Sequence, residues 1–344
     1  ASYQISRFLN LNKKQDLRAF YKGIDQHFVF TSGSTESINL VFKGLSMKFK
    51  KGHIITSKTE HKAVISTCNY LSSIGFEVTF LDVNEEGLID EKELINAIKA
   101  DTFLISIMWA NNETGVVQDI NRISEIAREH DILFFTDATA AAGKVNIDLD
   151  ETPVDFLCFS GHKIHGPKGT GVLYINKNNP RTNFSPQIHG GEQQNNMRSG
   201  TLNIPGIVGT GVACEILNSN FNNEIQRVKH LRDLLEEKLL RIPGVYLNGS
   251  KIHRTCNVAN ICFSEVETDN LIIQSPNIAV STGSACNSQS NKASHVLTAM
   301  GFEKNRLSSS IRFSLGRFNT IREIEEVYES YINHYQNSFN HLLV

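Results

Sequence analysis

The strongest constraint on this chain is the repeated alternation of strand-sized apolar runs with segments of helical period. "HFVFTSG" at 27–33 leads into "STESINLVFKGLSMKF", and "HIITS" at 53–57 leads into a helical segment from His61 to about Leu71. "FEVTFLD" at 76–82 precedes "IDEKELINAIKA", and "FLISIMWA" at 103–110 precedes a helical pattern near 120–131. "LFFTDA" at 133–138, "FLCFSG" at 156–161 and "GVLYI" at 171–175 follow. Strands that are apolar almost throughout must be covered on both faces. This predicts an α/β fold with a largely parallel sheet between helices. In such sheets ligands sit at the carboxyl ends of strands, so the strand-end residues carry the functional information.

The pattern changes near residue 220. An amphipathic helix is predicted from about Glu224 to Arg241, with Ile225, Val228, Leu231, Leu235 and Leu239 at helical spacing. "IPGV" breaks it, and a second α/β unit follows. There "CNVANICF" and "NIAVSTG" read as strands, with helices near 291–300 and 320–340. The expected division is a large domain over 1–220 and a smaller one over 221–344.

Charge and cysteine usage narrow the function class. With 34 Lys and Arg against 36 Asp and Glu, the formal net charge is −2. That balance argues against direct nucleic-acid binding. The longest apolar runs are strand-sized, so no membrane span is expected. The opening "ASYQISRFLNLNKKQDLRAF" reads as a helix rather than a signal peptide. Cys68, Cys158, Cys214, Cys256, Cys262 and Cys286 show no CxxC pair and no zinc spacing. They fit reduced thiols and a cytoplasmic protein without a metal site.

Three strand ends could do chemistry. In "TSGSTES", Gly33, Ser34 and Thr35 lie where a strand turns into a helix. Free N–H groups and hydroxyls there form an anion cup, or an ordinary helix cap. Asp137 ends an apolar strand and could serve a metal, a ribose, a protonated ring nitrogen or a cap. Lys163, in "FSGHKIHGPKGTG", could hold phosphate as a charge or act as an amine nucleophile, with Ser160 and His162 as added donors. Singly, each is ambiguous. Together, a phosphate cup, a strand-end acid and a Ser-x-His-Lys turn are what pyridoxal phosphate requires. No GxGxxG follows the first strand, which disfavours a nucleotide-binding dehydrogenase.

"TEHKAV", "NNETGVVQDI", "DAT", "SGHKIHGPKGTG", "MRSGTL", "STGSACNS" and "SIRFSLGR" occur in this order. Together they resemble the cysteine desulfurases of the class V aminotransferase family. The subgroup is the nitrogenase and iron–sulfur-assembly type, which includes the DNA-phosphorothioation desulfurases. The resemblance runs from about residue 27 to 330. It implies a fold type I pyridoxal-phosphate transferase, with a large domain and a small α/β C-terminal domain.

The resemblance also implies roles. Lys163 carries the cofactor as a Schiff base, and Asp137 pairs with the pyridine nitrogen. Ser34, Thr35, Ser160 and His162 hold the phosphate. Thr201 reaches the phosphate of a neighbouring subunit's cofactor, which implies a homodimer. His61 stacks on the ring and acts as acid and base. Asn112 lies near cofactor and substrate, and Arg312 clamps the substrate carboxylate. Cys286, among Ser, Thr, Gly and Ala, is the implied nucleophile that takes the sulfur of L-cysteine and hands it to an acceptor protein.

Two departures stand out. The family usually follows "DAT" with a glutamine that hydrogen-bonds the ring oxygen, and here the residue is Ala140. The family also usually begins with some forty further residues, including a "DNNATT"-like segment, so truncation of this sequence is one expectation. These departures keep open a weakly active scaffold that serves mainly as a docking partner. Selenocysteine lyase is a further alternative. Iron–sulfur clusters, tRNA thiolation and DNA phosphorothioation all remain open as destinations for the sulfur.

Overall fold

The computed structural model describes residues 1–11, 24–264, 266, 268–282 and 293–342. The chain forms two compact units. The first holds residues 1–81, 89–110 and 118–221, and the second holds 82–88, 111–117 and 222–344. A single cut after residue 220 does not anticipate the two short loops that join the second unit. The cause for one of them is backbone pairing: Val117 N–H donates to His253 O at 2.9 Å, and Thr255 N–H donates to Gly115 O at 2.8 Å.

In the first unit, helix α1 (Ser2–Phe8) opens the chain. Seven strands follow: β1 (Phe28–Thr31), β2 (His53–Ser57), β3 (Glu77–Leu81), β4 (Thr102–Ser106), β5 (Leu133–Asp137), β6 (Phe156–Ser160) and β7 (Gly171–Ile175). They form one sheet in the order β1-β7-β6-β5-β4-β2-β3. Pairings from β3 through β6 are parallel, while β7 is antiparallel to both β6 and β1. Every residue of β2, β4, β5, β6 and β7 is buried, as strands covered on both faces require. Edge strand β3 buries only Leu81.

Helices supply the covering layers. Helix α2 (Ser34–Phe49) buries Ile38, Val41, Phe42 and Leu45, spaced as one helical face. Phe42 meets Phe135 of β5 edge-on, with ring centroids 5.3 Å apart. Helix α3 (Lys62–Ser73) adds Val64, Cys68 and Leu71 to the same core. Helices α4 (Glu91–Ala97), α5 (Ile120–Glu129) and α6 (Ile204–Ser219) complete the described helices of this unit.

The second unit builds on helix α7 (Phe221–Leu239), which buries Val228, Leu231, Leu235 and Leu239. Its sheet has three antiparallel strands in the order β10 (Ser310–Ser314), β9 (Val258–Phe263), β8 (Val245–Leu247). Short helices α8 (Thr268–Gln274), α9 (His295–Ala299) and α10 (Lys304–Ser308) precede the final helix α11 (Ile321–Leu342).

One expected strand is absent. Residues 277–282 of "NIAVSTG" are irregular and join the sheet only through a bridge from Ser281 to Arg312. Ile278 and Val280 pack against the core of the unit without pairing, so alternating apolar residues here satisfy burial alone. Strand β8 lies in the stretch that reads as a helix break, and β10 within the "SIRFSLGR" motif. The expected opening helix covers only Ser2–Phe8; residues 12–23 lie outside the described residues.

Candidate active site

Strand direction assembles the site. Because β7 runs against both neighbours, β1 points the same way as β6, and with it β5, β4 and β2. Thr31, Ser57, Ser106, Asp137 and Ser160 therefore end at one edge of the sheet. The residues just beyond them are Ser34, Thr35, His61, His162 and Lys163.

Gly33 begins α2 and supplies no side-chain cap. The N–H of Ser34 donates to Ser160 Oγ at 2.9 Å. Ser34 Oγ lies 2.8 Å from Ser160 Oγ and 2.6 Å from Thr139 Oγ1. Three hydroxyls thus converge at the positive end of a 16-residue helix, with exposed Thr35 beside them. Gly171 permits this approach. A Cβ there would stand 2.5 Å from Thr31 Oγ1 and 2.6 Å from the Gly33 carbonyl carbon.

Lys163 sits in a single turn of 3-10 helix, Gly161–Ile164, directly after β6. Ile164 and Gly161 are buried, which pins the turn, and His162 and Lys163 project to the exposed side. Left-handed His165, at φ 63°, ends it. Partial burial and the ammonium groups of Lys163 and Lys168 hold the His162 pKa below its usual value. A neutral imidazole is the resting form this favours.

Asp137 is buried, 3 % exposed. Its Oδ1 accepts the Thr139 N–H at 2.9 Å and lies 3.8 Å from Sγ of Cys158, its register partner on β6. Both contacts use Oδ1. The buried Cys158 thiol is held well above its usual pKa by burial and by Asp137. It is a packing and hydrogen-bonding neighbour, not a nucleophile.

Glu60, just before His61, was not singled out from the sequence. It is fully buried, and Oε1 accepts the Met108 N–H at 2.5 Å. Burial, then the Asp137 charge, push its pKa well above the carboxylate range against the Met108 hydrogen bond. Glu60 therefore keeps a proton that the unfolded chain releases near the ordinary value of about 4.3. Its contribution to stability is complete below that value and falls as pH rises through the raised one, at about 1.4 kcal/mol per pH unit. Glu60→Gln has no proton to lose. Its melting temperature should fall less than wild type's as pH rises above the ordinary carboxylate value of about 4.3. Equal slopes in the two proteins would place the charge elsewhere.

His61 caps α3, with Nδ1 accepting the Ala63 N–H at 3.1 Å. Neutral His61 consequently carries its proton on Nε2. Thr201 is exposed on the loop before α6. Arg198 ties that loop to the first turn of α2 through Glu36, Nε to Oε1 at 2.8 Å. Thr139, in the "DAT" motif, is a second residue the sequence reading left without a role. Ala140 is half-buried and brings no donor.

Asn112 and Arg312 belong to the second unit. Arg312 on β10 donates from Nη1 to Asn112 O at 3.0 Å, so the two implied substrate residues are adjacent there. Cys286 lies outside the described residues.

The donor set of the first unit fits pyridoxal phosphate. Converging hydroxyls at a helix N-terminus suit a phosphate, a buried carboxylate suits a protonated ring nitrogen, and an exposed amine suits an aldehyde. Among the described residues no cluster of His, Cys, Asp and Glu could hold a metal. No described helix is long and apolar enough to cross a membrane.

Comparison with known proteins bears on the family and the fold. Residues 9–327 match the family model described as aminotransferase class-V. Cysteine desulfurase IscS of Escherichia coli O139:H28 is 49% identical over 306 residues, covering 88% of this chain and 76% of that protein. A solved NifS-like protein superposes with a TM-score of 0.85 at 33% identity, over 96% of this chain and 85% of the other. The structure of SspA in complex with cysteine superposes with a TM-score of 0.77 at 37% identity, over 93% and 86%.

Proposed function

This chain belongs to the class V aminotransferase family as a cysteine desulfurase, and on that premise we propose that it moves sulfur from L-cysteine onto Cys286 and on to an acceptor protein. The observation that carries the reading is the meeting of Ser34, Thr139 and Ser160 hydroxyls with Asp137 and Lys163 at one sheet edge. Pyridoxal phosphate bound there supplies an electron sink for the substrate's carbon.

The chain's own groups do the rest. Ser34, Thr35, Ser160 and His162 hold the phosphate, and Lys163 Nζ anchors the aldehyde. Asp137 accepts the hydrogen bond of the protonated ring nitrogen. His61 gives and takes protons at Nε2, the nitrogen its capping bond leaves available. Arg312 and Asn112 hold the substrate carboxylate and its surroundings. The Cys286 thiolate attacks the substrate sulfur. The substrate C–S bond breaks, an S–S bond forms on Cys286, and the carbon skeleton leaves as L-alanine. The resulting persulfide is a reversible cap suited to transfer.

The same reading includes a homodimer in which Thr201 serves the neighbouring site. Three residues beyond Thr201, α6 exposes Ile204, Val208, Val212 and Ile216 at four-residue spacing, between 41% and 56% exposed. A second copy is the occupant that this stripe, continuous with the Thr201 loop, supports. Cytoplasmic placement follows from the reduced thiols the chemistry requires. A role in iron–sulfur cluster assembly is the destination that the motif resemblance to that subgroup favours.

The test is L-cysteine supplied to the cofactor-loaded protein with a thiol reductant. Alanine and sulfide should appear in equal amounts. A scaffold that only docks partners would yield neither.

A further inference from the structure

Glu113, in the "NNETG" turn, has no assigned role, yet it is 0% exposed. The turn is internally built. Asn111 Oδ1 accepts the N–H groups of Glu113 at 2.8 Å and Thr114 at 3.0 Å. Glu113 O accepts Asn260 Nδ2 at 3.0 Å, which fixes the residue to β9. Its carboxylate Oε2 accepts the hydroxyl of Ser294.

Ser294 is buried and caps α9, where its Oγ accepts the Leu297 N–H at 3.2 Å. The hydroxyl thus spends its proton on Glu113 and a lone pair on the helix. Ser294 stands eight residues after Cys286 in the sequence. On the other side of Cys286, Ser281 exchanges two backbone hydrogen bonds with Arg312, at 2.7 and 3.3 Å. Arg312 in turn donates to Asn112 O. The two flanks of the nucleophile's segment therefore run to adjacent residues, Ser281 through Arg312 to Asn112 and Ser294 directly to Glu113.

Glu113 is also costly where it is. Among the described residues its second oxygen, Oε1, is buried without a hydrogen-bond partner. A buried acceptor left unpaired is destabilising, so packing alone does not account for a carboxylate at this position.

We propose that Glu113 is a positioning residue for sulfur transfer, fixing the Ser294 flank from which Cys286 is presented. The proposal rests on Cys286 being the nucleophile. It assigns Glu113 no contact with cysteine or cofactor.

The test uses the cofactor-loaded protein and the variants Glu113→Ala, Ser294→Ala, the pair combined, and Glu113→Gln. Two quantities are read: the single-turnover rate of sulfur loading onto Cys286, and the affinity for L-cysteine from the change in cofactor absorbance. The rate of Cys286 alkylation by iodoacetamide, without cysteine, is a third readout independent of turnover. Glu113→Ala and Ser294→Ala should each slow loading by about tenfold, the rate equivalent of one hydrogen bond, with cysteine affinity within about twofold of wild type. Both should shift the alkylation rate alike. The double variant should match the single ones, because both remove the same bond. Glu113→Gln keeps an acceptor for Ser294 and should recover most of the rate. Glu113→Gln guards against misfolding, since it keeps the side-chain volume and leaves the Ser294 cap of α9 in place. Wild-type loading and alkylation in both single variants would overturn the proposal, as would multiplicative losses in the pair. If wild type itself never loads Cys286, the proposed function fails first and takes this role with it.

Discussion

Lys163→Ala should lose the absorbance of a lysine-linked cofactor and at least about 10³-fold of cysteine turnover. The reason is positional. Lys163 is exposed on a one-turn helix whose buried residues, Gly161 and Ile164, are what the fold needs. Removing an exposed amine leaves that anchoring intact, so unfolding stability should change by no more than about 0.5 kcal/mol. The residues proposed to hold the phosphate, Ser34, Thr35, Ser160 and His162, also stay, so the variant should still bind pyridoxal phosphate, reversibly and more weakly. Retention of both the lysine-linked absorbance and the turnover would move the anchoring role to another amine.

Cys286→Ser should separate cofactor chemistry from sulfur transfer. A serine hydroxyl cannot form a persulfide and ionises far less readily than a thiol. Cofactor binding and its absorbance response to L-cysteine should persist, while sulfur stored on the protein falls to background. The other candidates for a substitute nucleophile are poor. Cys68, Cys158, Cys214, Cys256 and Cys262 are all buried. Burial is the largest cause that raises the thiols of both Cys68 and Cys214. Stored sulfur at the wild-type level in this variant would point to one of them becoming exposed.

Much of the first unit was readable because its strands are buried on both faces and so appear as unbroken apolar runs. Asp137, Ser160 and Lys163 were readable for the same reason: a polar residue at the end of such a run is conspicuous. The contacts that make the site were not. Ser34 meets Thr139 and Ser160 only because β1 lies beside β7 and reverses direction twice before β5, and neither fact leaves a mark in local periodicity. Glu60 lies within the quoted "TEHKAV" motif, yet its raised pKa comes from burial first and then from Asp137, reached through strands that are not all neighbours in sequence. The bond between Glu113 and Ser294 spans 181 residues. "NIAVSTG" misled for the opposite reason. Ile278 and Val280 have a strand's alternation but meet their burial requirement as an irregular segment. The loop 111–117 likewise joins the second unit through backbone pairing with residues 253–255 rather than through its composition.

The central claim is that substrate sulfur passes to Cys286, and isotope transfer tests it most directly. The cofactor-loaded protein is given one equivalent of L-cysteine carrying a heavy sulfur isotope, quenched by alkylation, and digested for mass spectrometry. The account predicts one heavy sulfur on the Cys286 peptide, matched by released alanine, and none on that peptide in Lys163→Ala. Alanine release with the heavy sulfur on a different cysteine, or no labelled cysteine peptide at all, would contradict it.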